Sequence, residues 1–449
     1  MFYKEIGMKL LQIEIKNLFN LFNHRIKLKD ERITILTAPN GYGKTITLKT
    51  IYSLFNKNLI FFVNLSFSEI IFHFENDYSI KITKNNLNEL SNIDFELLKD
   101  SELVEKFTYP PKNFLKNLGK HYPVEIFEDF MPDFIKRVGI DVWLNELTNE
   151  IYSSEDVLNQ YSEYLSDEII KRVGFKIPEK FLVFLNSFNV YLIQEQRLVL
   201  REPIQKTRYR REVVITDTIE KYSNELSNLI KQKFDDYAQI TQSLDSSFPK
   251  RLFKHNHQDV DIQDLKKRLN KLQEKRQKLA KYGFLKSEEE TFFSYDDIEQ
   301  SNTKVLSLYI VDNEKKLSVF DSLINRIELF TKILNERRFN FKSIEIDKEK
   351  GFIFKTQDGS ILKLTKLSSG EQHEVVLLFE LLFKAEENSL VLIDEPEISL
   401  HVVWQREFLN DIQEIIELQK IDVVIATHSP QIINDRWDLT VGLGESVNE

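Results

Sequence analysis

The chain has no cysteine among its 449 residues. This absence excludes disulfide bonds, thiolate metal sites and cysteine nucleophiles. No apolar run approaches the ~20 residues that a membrane-spanning helix needs. Near the N-terminus the charged residues Lys4, Glu5 and Lys9 interrupt any signal-peptide pattern. We therefore expect a cytoplasmic protein without a membrane partner.

The chain also lacks an excess of positive charge, since its formal net charge is −10. A surface that coats nucleic acid uniformly is therefore not expected. Basic residues are nevertheless concentrated in two clusters, at 197–211 and at 262–281. Each cluster is consistent with a DNA-binding surface and also with an ordinary solvated surface, and the sequence leaves both interpretations open.

A glycine-rich turn follows a short apolar segment near the N-terminus. The segment at 33–36 predicts a buried strand, and the turn after it reads Ala-Pro-Asn-Gly-Tyr-Gly-Lys-Thr at 38–45. Backbone N–H groups in such a turn bind phosphate together with the N-terminus of the following helix. Lys44 suits the β- and γ-phosphates of a nucleotide, and the Thr45 hydroxyl suits Mg²⁺. The predicted nucleotide-binding residues here are Asn40, Gly41, Gly43, Lys44, Thr45 and Ile46.

A second apolar segment, at 390–393, ends in the adjacent carboxylates Asp394 and Glu395. If this segment is a strand beside the glycine-rich turn, Asp394 completes a metal site with Thr45. Glu395 is then placed to polarise an attacking water molecule. Together the two segments predict that the chain binds ATP with Mg²⁺ and hydrolyses it.

Two further segments predict contacts with phosphate. The sequence Leu-Ser-Ser-Gly-Glu-Gln at 367–372 opens an apolar helix, and Ser and Gly at a helix start form an anion site. The residues of this site are Ser368, Ser369, Gly370 and Glu371. A third apolar strand, at 421–426, is followed by Thr427 and His428. At the C-terminal tip of a strand that neighbours the turn, His428 is predicted to sense the γ-phosphate.

The order of these four motifs resembles that of an ABC-type ATPase head. Within that class the chain is similar to the branch that holds RecF, the SMC-like break-repair ATPases and the overcoming-lysogenization-defect proteins. The resemblance covers residues 8–84, 186–200 and 343–445. It implies that two heads enclose ATP, with Ser368 and Gly370 of one copy at the γ-phosphate held by the other. The family also has a glutamine that senses Mg²⁺ and the attacking water, a role assigned here to Gln196 with Gln194 as the alternative.

The resemblance further implies an α/β fold, with a mixed sheet and an antiparallel β subdomain. The expected divisions are an N-terminal lobe (1–84), an all-helical insertion (85–185), a head strand with the glutamine loop (186–200), a helical insertion with a short coiled coil (201–342) and a C-terminal lobe (343–449). A hairpin is expected over 67–82. Apolar residues at 3–4 spacing over 262–281 predict one arm of the coiled coil. Its partner helices are expected within 216–243 and 299–338.

In biological role the chain resembles the ATPase subunits of bacterial anti-phage systems such as PARIS and Septu. No Toprim nuclease segment follows His428 in the sequence. The resemblance therefore implies a homo-oligomer built on head-to-head dimers, together with a separately encoded effector, a nuclease. Two alternatives stay open. One is a RecF-like repair ATPase that binds duplex DNA through the two basic clusters, and the other is an ATP-switched clamp with negligible hydrolysis.

Overall fold

The computed structural model describes residues 8–84, 92–109, 131, 134–139, 142–145, 150–153, 157, 176–194, 198–207, 210–254, 261–286 and 303–444. The chain divides into two compact units. Unit 1 comprises Met1–Thr216 and Lys384–Glu449, and unit 2 comprises Asp217–Phe383. Within the described ranges no helix is both long enough and apolar enough to cross a membrane.

Strands and helices are mixed along the chain, as in α/β proteins. The strands are β1 Leu10–Leu18, β2 Phe22–Lys27, β3 Ile33–Thr37, β4 Glu69–Phe74, β5 Tyr78–Lys84, β6 Ile93–Lys99, β7 Glu102–Tyr109, β8 Ile135–Arg137, β9 Trp143–Asn145, β10 Ile151–Tyr152, β11 Val190–Ile193, β12 Val199–Thr207, β13 Arg210–Asp217, β14 Lys342–Asp347, β15 Gly351–Thr356, β16 Ile361–Leu362, β17 Leu390–Asp394, β18 Asp422–Ala426 and β19 Thr440–Gly442.

The α-helices follow the same order. They are α1 Lys44–Phe55, α2 Leu59–Asn64, α3 Glu179–Leu185, α4 Thr218–Lys254, α5 Ile262–Lys281, α6 Thr303–Ser318, α7 Asp321–Lys332, α8 Ser369–Phe379, α9 Val402–Gln419 and α10 Pro430–Ile433. Helices α7 and α8 each continue into a π-helical turn, at Ile333–Arg338 and Glu380–Lys384. A 3₁₀ turn, Pro396–Ser399, connects β17 to the loop before α9.

Five of these strands form a parallel sheet in unit 1, in the order β11-β17-β18-β3-β19. Strands β3, β17 and β18 are buried along almost their whole length. Continuous apolar runs of this kind are typical of parallel strands that are covered on both faces. Because the strands are parallel, the loops that follow β3, β17 and β18 meet at one edge of the sheet.

Six other strands of unit 1 form an antiparallel sheet, in the order β2-β1-β4-β5-β6-β7. Alternate residues are buried along β4, β5 and β6, which is the pattern of a sheet with one face on a core. One apolar cluster joins the two sheets through α1 and includes Leu48, Phe72 and Leu392. The predicted α/β P-loop NTPase fold is confirmed, and the predicted hairpin is the pair β4 and β5.

The prediction that 85–185 forms an all-helical insertion is wrong. Strands β6 and β7 extend the antiparallel sheet beyond β5. Ile93, Phe95 and Leu97 are buried while the residues between them are partly exposed, so a period of two governs this segment. Strands β8, β9 and β10 form a further small sheet. Among the described residues of this stretch, helix α3 is helical as expected.

The second insertion, 201–342, is also only partly helical. Strands β12 and β13 pair with each other over its first residues. Most of the described residues from 218 to 338 form helices, and α4 and α6–α7 lie where the partner helices of α5 were expected. Leu265, Leu272 and Leu279 of α5 are buried at seven-residue spacing, and α5 packs on α6. The packing of α5 on α6 is therefore confirmed, whereas α4 as a further partner of α5 and supercoiling between the helices stay predictions.

The C-terminal lobe does not form a single unit as predicted, because the boundary falls between Phe383 and Lys384. Helix α8 belongs to unit 2, where the Tyr222 ring of α4 stacks on Phe379 with ring centroids 4.6 Å apart. Helix α4 also packs on β15. A Cβ atom at Gly351 would lie 1.7 Å from the Ser223 carbonyl oxygen, so this close approach needs glycine.

Candidate active site

The turn between β3 and α1 lies at the carboxyl edge of the parallel sheet. Gly41 and Gly43 adopt left-handed backbone conformations, with φ of 85° and 86°. Side chains are rarely accommodated at such angles, and a Cβ at Gly43 would also lie 2.9 Å from Leu18 Cδ2. Gly43 directly precedes α1, whose first N–H groups have no partner within the helix. The turn therefore has the geometry from which backbone N–H groups bind an anion.

Strand β17 brings Asp394 beside the start of α1. The Thr45 hydroxyl donates a hydrogen bond to Asp394 Oδ1 at 3.0 Å, and Asp394 is buried. A hydroxyl and a carboxylate are hard oxygen ligands of the kind that Mg²⁺ prefers, with phosphate and water completing its shell. In the part of the chain that the structure covers, no group of three His, Asp or Glu side chains could hold a metal alone. The donor set fits a magnesium ion that arrives with a nucleotide.

Lys44 and His428 meet at the same edge. The Lys44 ammonium group donates to the Ala38 carbonyl oxygen at 3.0 Å and to the His428 ring. His428 Nε2 lies 3.6 Å from Glu395 Oε1. Lys44 is only 5% exposed, and this burial lowers the pKa of its ammonium group although nearby carboxylates, Glu395 foremost, act in the opposite direction. The site therefore holds a buried cation next to Glu395 and His428, two of the three predicted catalytic side chains.

These side chains surround one open pocket of about 290 Å³. The lining residues are Phe19, Asn40, Gly41, Gly43, Lys44, Thr45, Ile46, Glu395 and His428. All the residues predicted from the glycine-rich turn are in this lining, and so are Glu395 and His428. The structure thus brings together segments that the sequence analysis could connect only by motif.

The predicted glutamine of the site cannot be placed in the same way. Gln196 lies outside the described residues. Gln194, the alternative, directly follows Ile193, which pairs with Ile393 across the parallel sheet. The backbone of Gln194 therefore lies at the same edge of the sheet as Asp394.

The segment Ser368–Glu371 lies in unit 2, at the start of α8. Ser368 is the N-cap of the helix, and its backbone N–H and its hydroxyl each donate to Glu371 Oε2 at 2.9 Å. Burial raises the pKa of Glu371, but the hydrogen bonds from Lys342 and Ser368 outweigh it, so the pKa is below its usual value. Ser368 and Ser369 are exposed. The helix start is therefore well formed by a capping box and open to solvent.

Sequence reasoning missed two residues on the β1–β2 side of the site. Phe19, in the turn between these strands, is 37% exposed and lines the pocket. His24 Nε2 donates to the Tyr42 carbonyl oxygen at 2.9 Å and so supports the glycine-rich turn from beneath. Burial lowers the pKa of His24. Neither residue belongs to a recognisable motif in the sequence. Both reach the site because the fold brings these strands to the turn.

Sequence reasoning also missed Glu397. Its carboxylate accepts hydrogen bonds from the loop that follows β18, including one from the backbone N–H of His428 at 2.6 Å. A signal was present in the sequence, because Glu397 repeats the carboxylate of Glu395 two residues later, across Pro396.

A family match over most of the chain supports nucleotide binding, as the geometry of the site does. Residues 8–433 match the family described as the AAA ATPase domain. The chain belongs to this family. Nucleotide binding is the property that the family implies, and it fits the P-loop NTPase fold and the pocket around Lys44.

Comparisons with individual proteins are less informative than the family match. A stretch of 123 residues, 27% of the chain, is 32% identical to protein ea59 of Escherichia phage lambda, and the match covers 23% of that protein. The chain is also similar to a crystal structure of the Smc head domain with an extended coiled coil, bound to the C-terminal domain of ScpA, from Pyrococcus furiosus. That comparison covers 97% of this chain and 93% of the other, with 12% identity and a TM-score of 0.35. At this score the similarity supports no argument about the chain.

Proposed function

We propose that the chain binds ATP with Mg²⁺ in the pocket around Lys44 and hydrolyses it. The observation that carries the proposal is the contact between Thr45 and Asp394 at 3.0 Å, which joins the glycine-rich turn to the carboxylates after β17. With that contact, the glycine-rich turn, Thr45, Asp394 and Glu395 lie at one edge of one sheet. This is the set of groups that phosphoryl transfer requires.

Each residue has a defined task in this proposal. Lys44 leaves the Ala38 carbonyl and the His428 ring and donates instead to the β- and γ-phosphates. Thr45 and Asp394 would hold Mg²⁺, which would neutralise the charge that develops on the phosphate oxygens. Glu395 accepts a hydrogen bond from the attacking water. His428, released from Lys44, donates to the γ-phosphate, and Gln196 completes the contacts of the metal and the water.

We also propose that two copies enclose the nucleotide head to head. Three apolar side chains on the segment after Glu395 support this: Ile398, Val402 and Val403 are 50%, 53% and 61% exposed. An apolar surface next to a charged pocket favours contact with another protein surface. In the dimer, Ser368 and Gly370 of the second copy contact the γ-phosphate at the exposed start of α8.

Mixing two inactive variants tests hydrolysis and the shared site together. Lys44→Ala removes the phosphate-binding lysine after the glycine-rich turn and leaves the start of α8 intact. Ser368→Arg blocks the start of α8 and leaves Lys44 and the turn intact. Each variant alone should release no phosphate from ATP. Their equimolar mixture should recover about a quarter of the wild-type rate, because half of the dimers are mixed and each mixed dimer holds one intact site. A mixture as inactive as its components would contradict the shared site.

We further propose that this ATPase is the sensor or scaffold subunit of an anti-phage complex that controls a separately encoded nuclease. The support is the resemblance of its motifs to the ATPase subunits of such systems. The test is purification together with the product of the neighbouring gene, followed by mass measurement with and without ATP. A stable complex whose mass changes with ATP is expected. A chain that purifies alone under all these conditions would contradict the proposal.

Direct binding of duplex DNA, the RecF-like alternative, has less support from the basic cluster at 262–281. Three of its basic residues pair with acids on neighbouring helices: Arg268 with Glu314 at 2.6 Å, Lys275 with Asp321 at 2.5 Å and Lys278 with Glu328 at 2.5 Å. In the other cluster, Arg197 and Arg208 lie outside the described residues. A duplex affinity that falls steeply with salt would favour this alternative. Negligible phosphate release by a chain that binds ATP would favour a non-hydrolysing clamp.

A further inference from the structure

One carboxylate oxygen of Glu397 holds the loop that follows β18. Glu397 Oε1 accepts hydrogen bonds from the Thr427 hydroxyl at 2.7 Å, from the His428 N–H at 2.6 Å and from the Ser429 N–H at 3.2 Å. Two of these donors are consecutive backbone N–H groups. The contact therefore fixes the backbone on both sides of the His428 side chain.

The local backbone explains how Glu397 reaches this loop. Glu395 adopts a left-handed conformation, with φ of 44° and ψ of 61°, and its N–H donates to the Ala426 carbonyl at 2.9 Å. Pro396 then opens a short 3₁₀ turn. A left-handed conformation is costly for a residue with a side chain, so the surrounding bonds must hold this reversal in place.

Gln405, near the start of α9, reinforces the same connection. Its Nε2 donates to the Leu400 carbonyl at 2.9 Å, and its Oε1 accepts from the Ser429 hydroxyl at 2.6 Å. Gln405 is 9% exposed, and its bond to the Leu400 carbonyl is buried. The loop after β17 and the loop after β18 are thus joined by side chains as well as by strand pairing.

The second carboxylate oxygen of Glu397 argues against a purely structural role. Glu397 Oε2 is buried and has no hydrogen-bond partner among the described residues. A buried acceptor without a partner costs free energy, and such groups call for an explanation beyond stability. The His428 ring, by contrast, is 31% exposed, and the Lys44 ammonium group donates to it. Its direction towards Lys44 and Glu395 depends on the backbone that Glu397 holds.

We propose that Glu397 is the positioning residue for His428: it fixes the Thr427–Ser429 backbone so that the imidazole points into the nucleotide pocket. Glu397 itself contacts neither nucleotide nor water. The kinetic consequences of this inference rest on the proposed ATPase function, whereas its structural consequence, the orientation of the His428 ring, does not.

Kinetics of Glu397 variants provide the first test. Glu397→Ala should lower kcat by about 10- to 10²-fold, as expected for a misplaced catalytic group, with KM for ATP changed less than about twofold. Glu397→Gln keeps one carbonyl acceptor and should lose less. Glu407→Ala, at an exposed position on α9, is the matched control and should behave as wild type. The double variant Glu397→Ala/His428→Ala should be no slower than His428→Ala alone, because the two residues act as one unit.

Losses that multiply in the double variant would overturn the proposal, and so would a rise in KM with an unchanged kcat. If Glu397→Ala does not fold, the same comparisons are made with Glu397→Gln.

A readout that needs no hydrolysis separates this inference from the proposed function. In protein labelled with ¹³C-histidine, the ring resonance of His428 is identified as the one that is missing from the spectrum of the His428→Ala variant. Glu397→Ala, which removes the acceptor, should shift or broaden that resonance and leave those of the other histidines in place. If the wild type does not hydrolyse ATP but the resonance moves, the proposed function is wrong and the positioning role stands. An unmoved resonance overturns the positioning role whatever the rate of hydrolysis.

Discussion

The Thr45 hydroxyl lies 3.0 Å from the Asp394 carboxylate, although 349 positions separate the two residues in the sequence. The register of the parallel sheet produces this contact. Ala426 of β18 pairs with Asp394 on one side and with Leu36 of β3 on the other. The glycine-rich turn, the two carboxylates and the histidine loop therefore all begin at the same level of the sheet. The site depends on register, since a slip of one residue would turn every side chain of a strand to the opposite face.

The first prediction concerns the charge of Lys44. Burial lowers the pKa of its ammonium group below 10.5, so the group loses its proton at a lower pH than an ordinary lysine. ATP affinity should therefore decline as the pH rises towards 10.5. Lys44→Arg keeps its charge over this range and should lack the decline, whatever its affinity at neutral pH. Calorimetric titration with ATP over a series of pH values measures the affinity of the wild type and of Lys44→Arg. If the two affinities changed with pH in parallel, the decline would not come from Lys44.

The second prediction separates binding from chemistry at Glu395. Glu395→Gln keeps the size of the side chain but removes the charge that polarises water. ATP should still bind, while phosphate release should fall by about 10²- to 10³-fold, the usual loss when an electrostatic group of an active site is removed. The bound and uncleaved ATP should also favour the two-copy state in mass photometry. Hydrolysis at the wild-type rate would show that another group activates the water.

The third prediction concerns Gly43. Alanine at this position would meet both an unfavourable φ of 86° and the Leu18 side chain at 2.9 Å. Gly359 has a similar φ of 81°, but nothing lies within 4 Å of its would-be Cβ, so it is the matched control. Gly359→Ala should cost about 1–2 kcal/mol and leave ATP binding intact. Gly43→Ala should be less stable in chemical unfolding and should lose ATP binding. Equal stability of the two variants would show that Leu18 does not restrict the turn.

The fourth prediction concerns His24 and pH. Burial lowers its pKa in the folded state below the ordinary 6.5. Above about pH 6.5 His24 is neutral in both the folded and the unfolded chain, and its full contribution to stability is present. As the pH falls below that value, the unfolded chain takes up a proton before the folded one, so stability is lost.

His24→Gln keeps a donor for the Tyr42 carbonyl but does not titrate. The difference in free energy of unfolding between wild type and His24→Gln should therefore shift against the wild type between about pH 7 and pH 5. Urea unfolding at a series of pH values measures it. A difference that is constant over this range would contradict the buried, neutral His24.

Much of the site could be predicted because its chemistry is local in sequence. The strands that end at Thr37 and Asp394 are short, strongly apolar runs, and the functional residues follow them directly. Motif order was sufficient to connect these segments. In the structure, Lys44, Glu395 and His428 line one pocket.

The features that were missed depend on contacts between distant segments. Strand β6 has only three alternating apolar positions, and its composition of Phe, Leu and Glu also suits a helix, so its pairing with β5 decided the outcome. Phe19 and His24 reach the site because the β1–β2 sheet lies beside the turn. Arg268 finds its acidic partner, Glu314, 46 positions later on another helix. For Phe19, His24 and Arg268, periodicity and motifs contain no such information.

Cross-linking between copies tests the central claim most directly, because a chain without cysteine lets each introduced thiol be the only one. One preparation carries Asn40→Cys in the glycine-rich turn, and a differently tagged one carries Ser369→Cys at the exposed start of α8. Both also carry Glu395→Gln so that ATP persists. With ATP and Mg²⁺, a short bis-maleimide should join the two tagged chains, and without nucleotide it should not. Absence of the mixed product while ATP is shown to be bound would contradict a nucleotide shared by two copies.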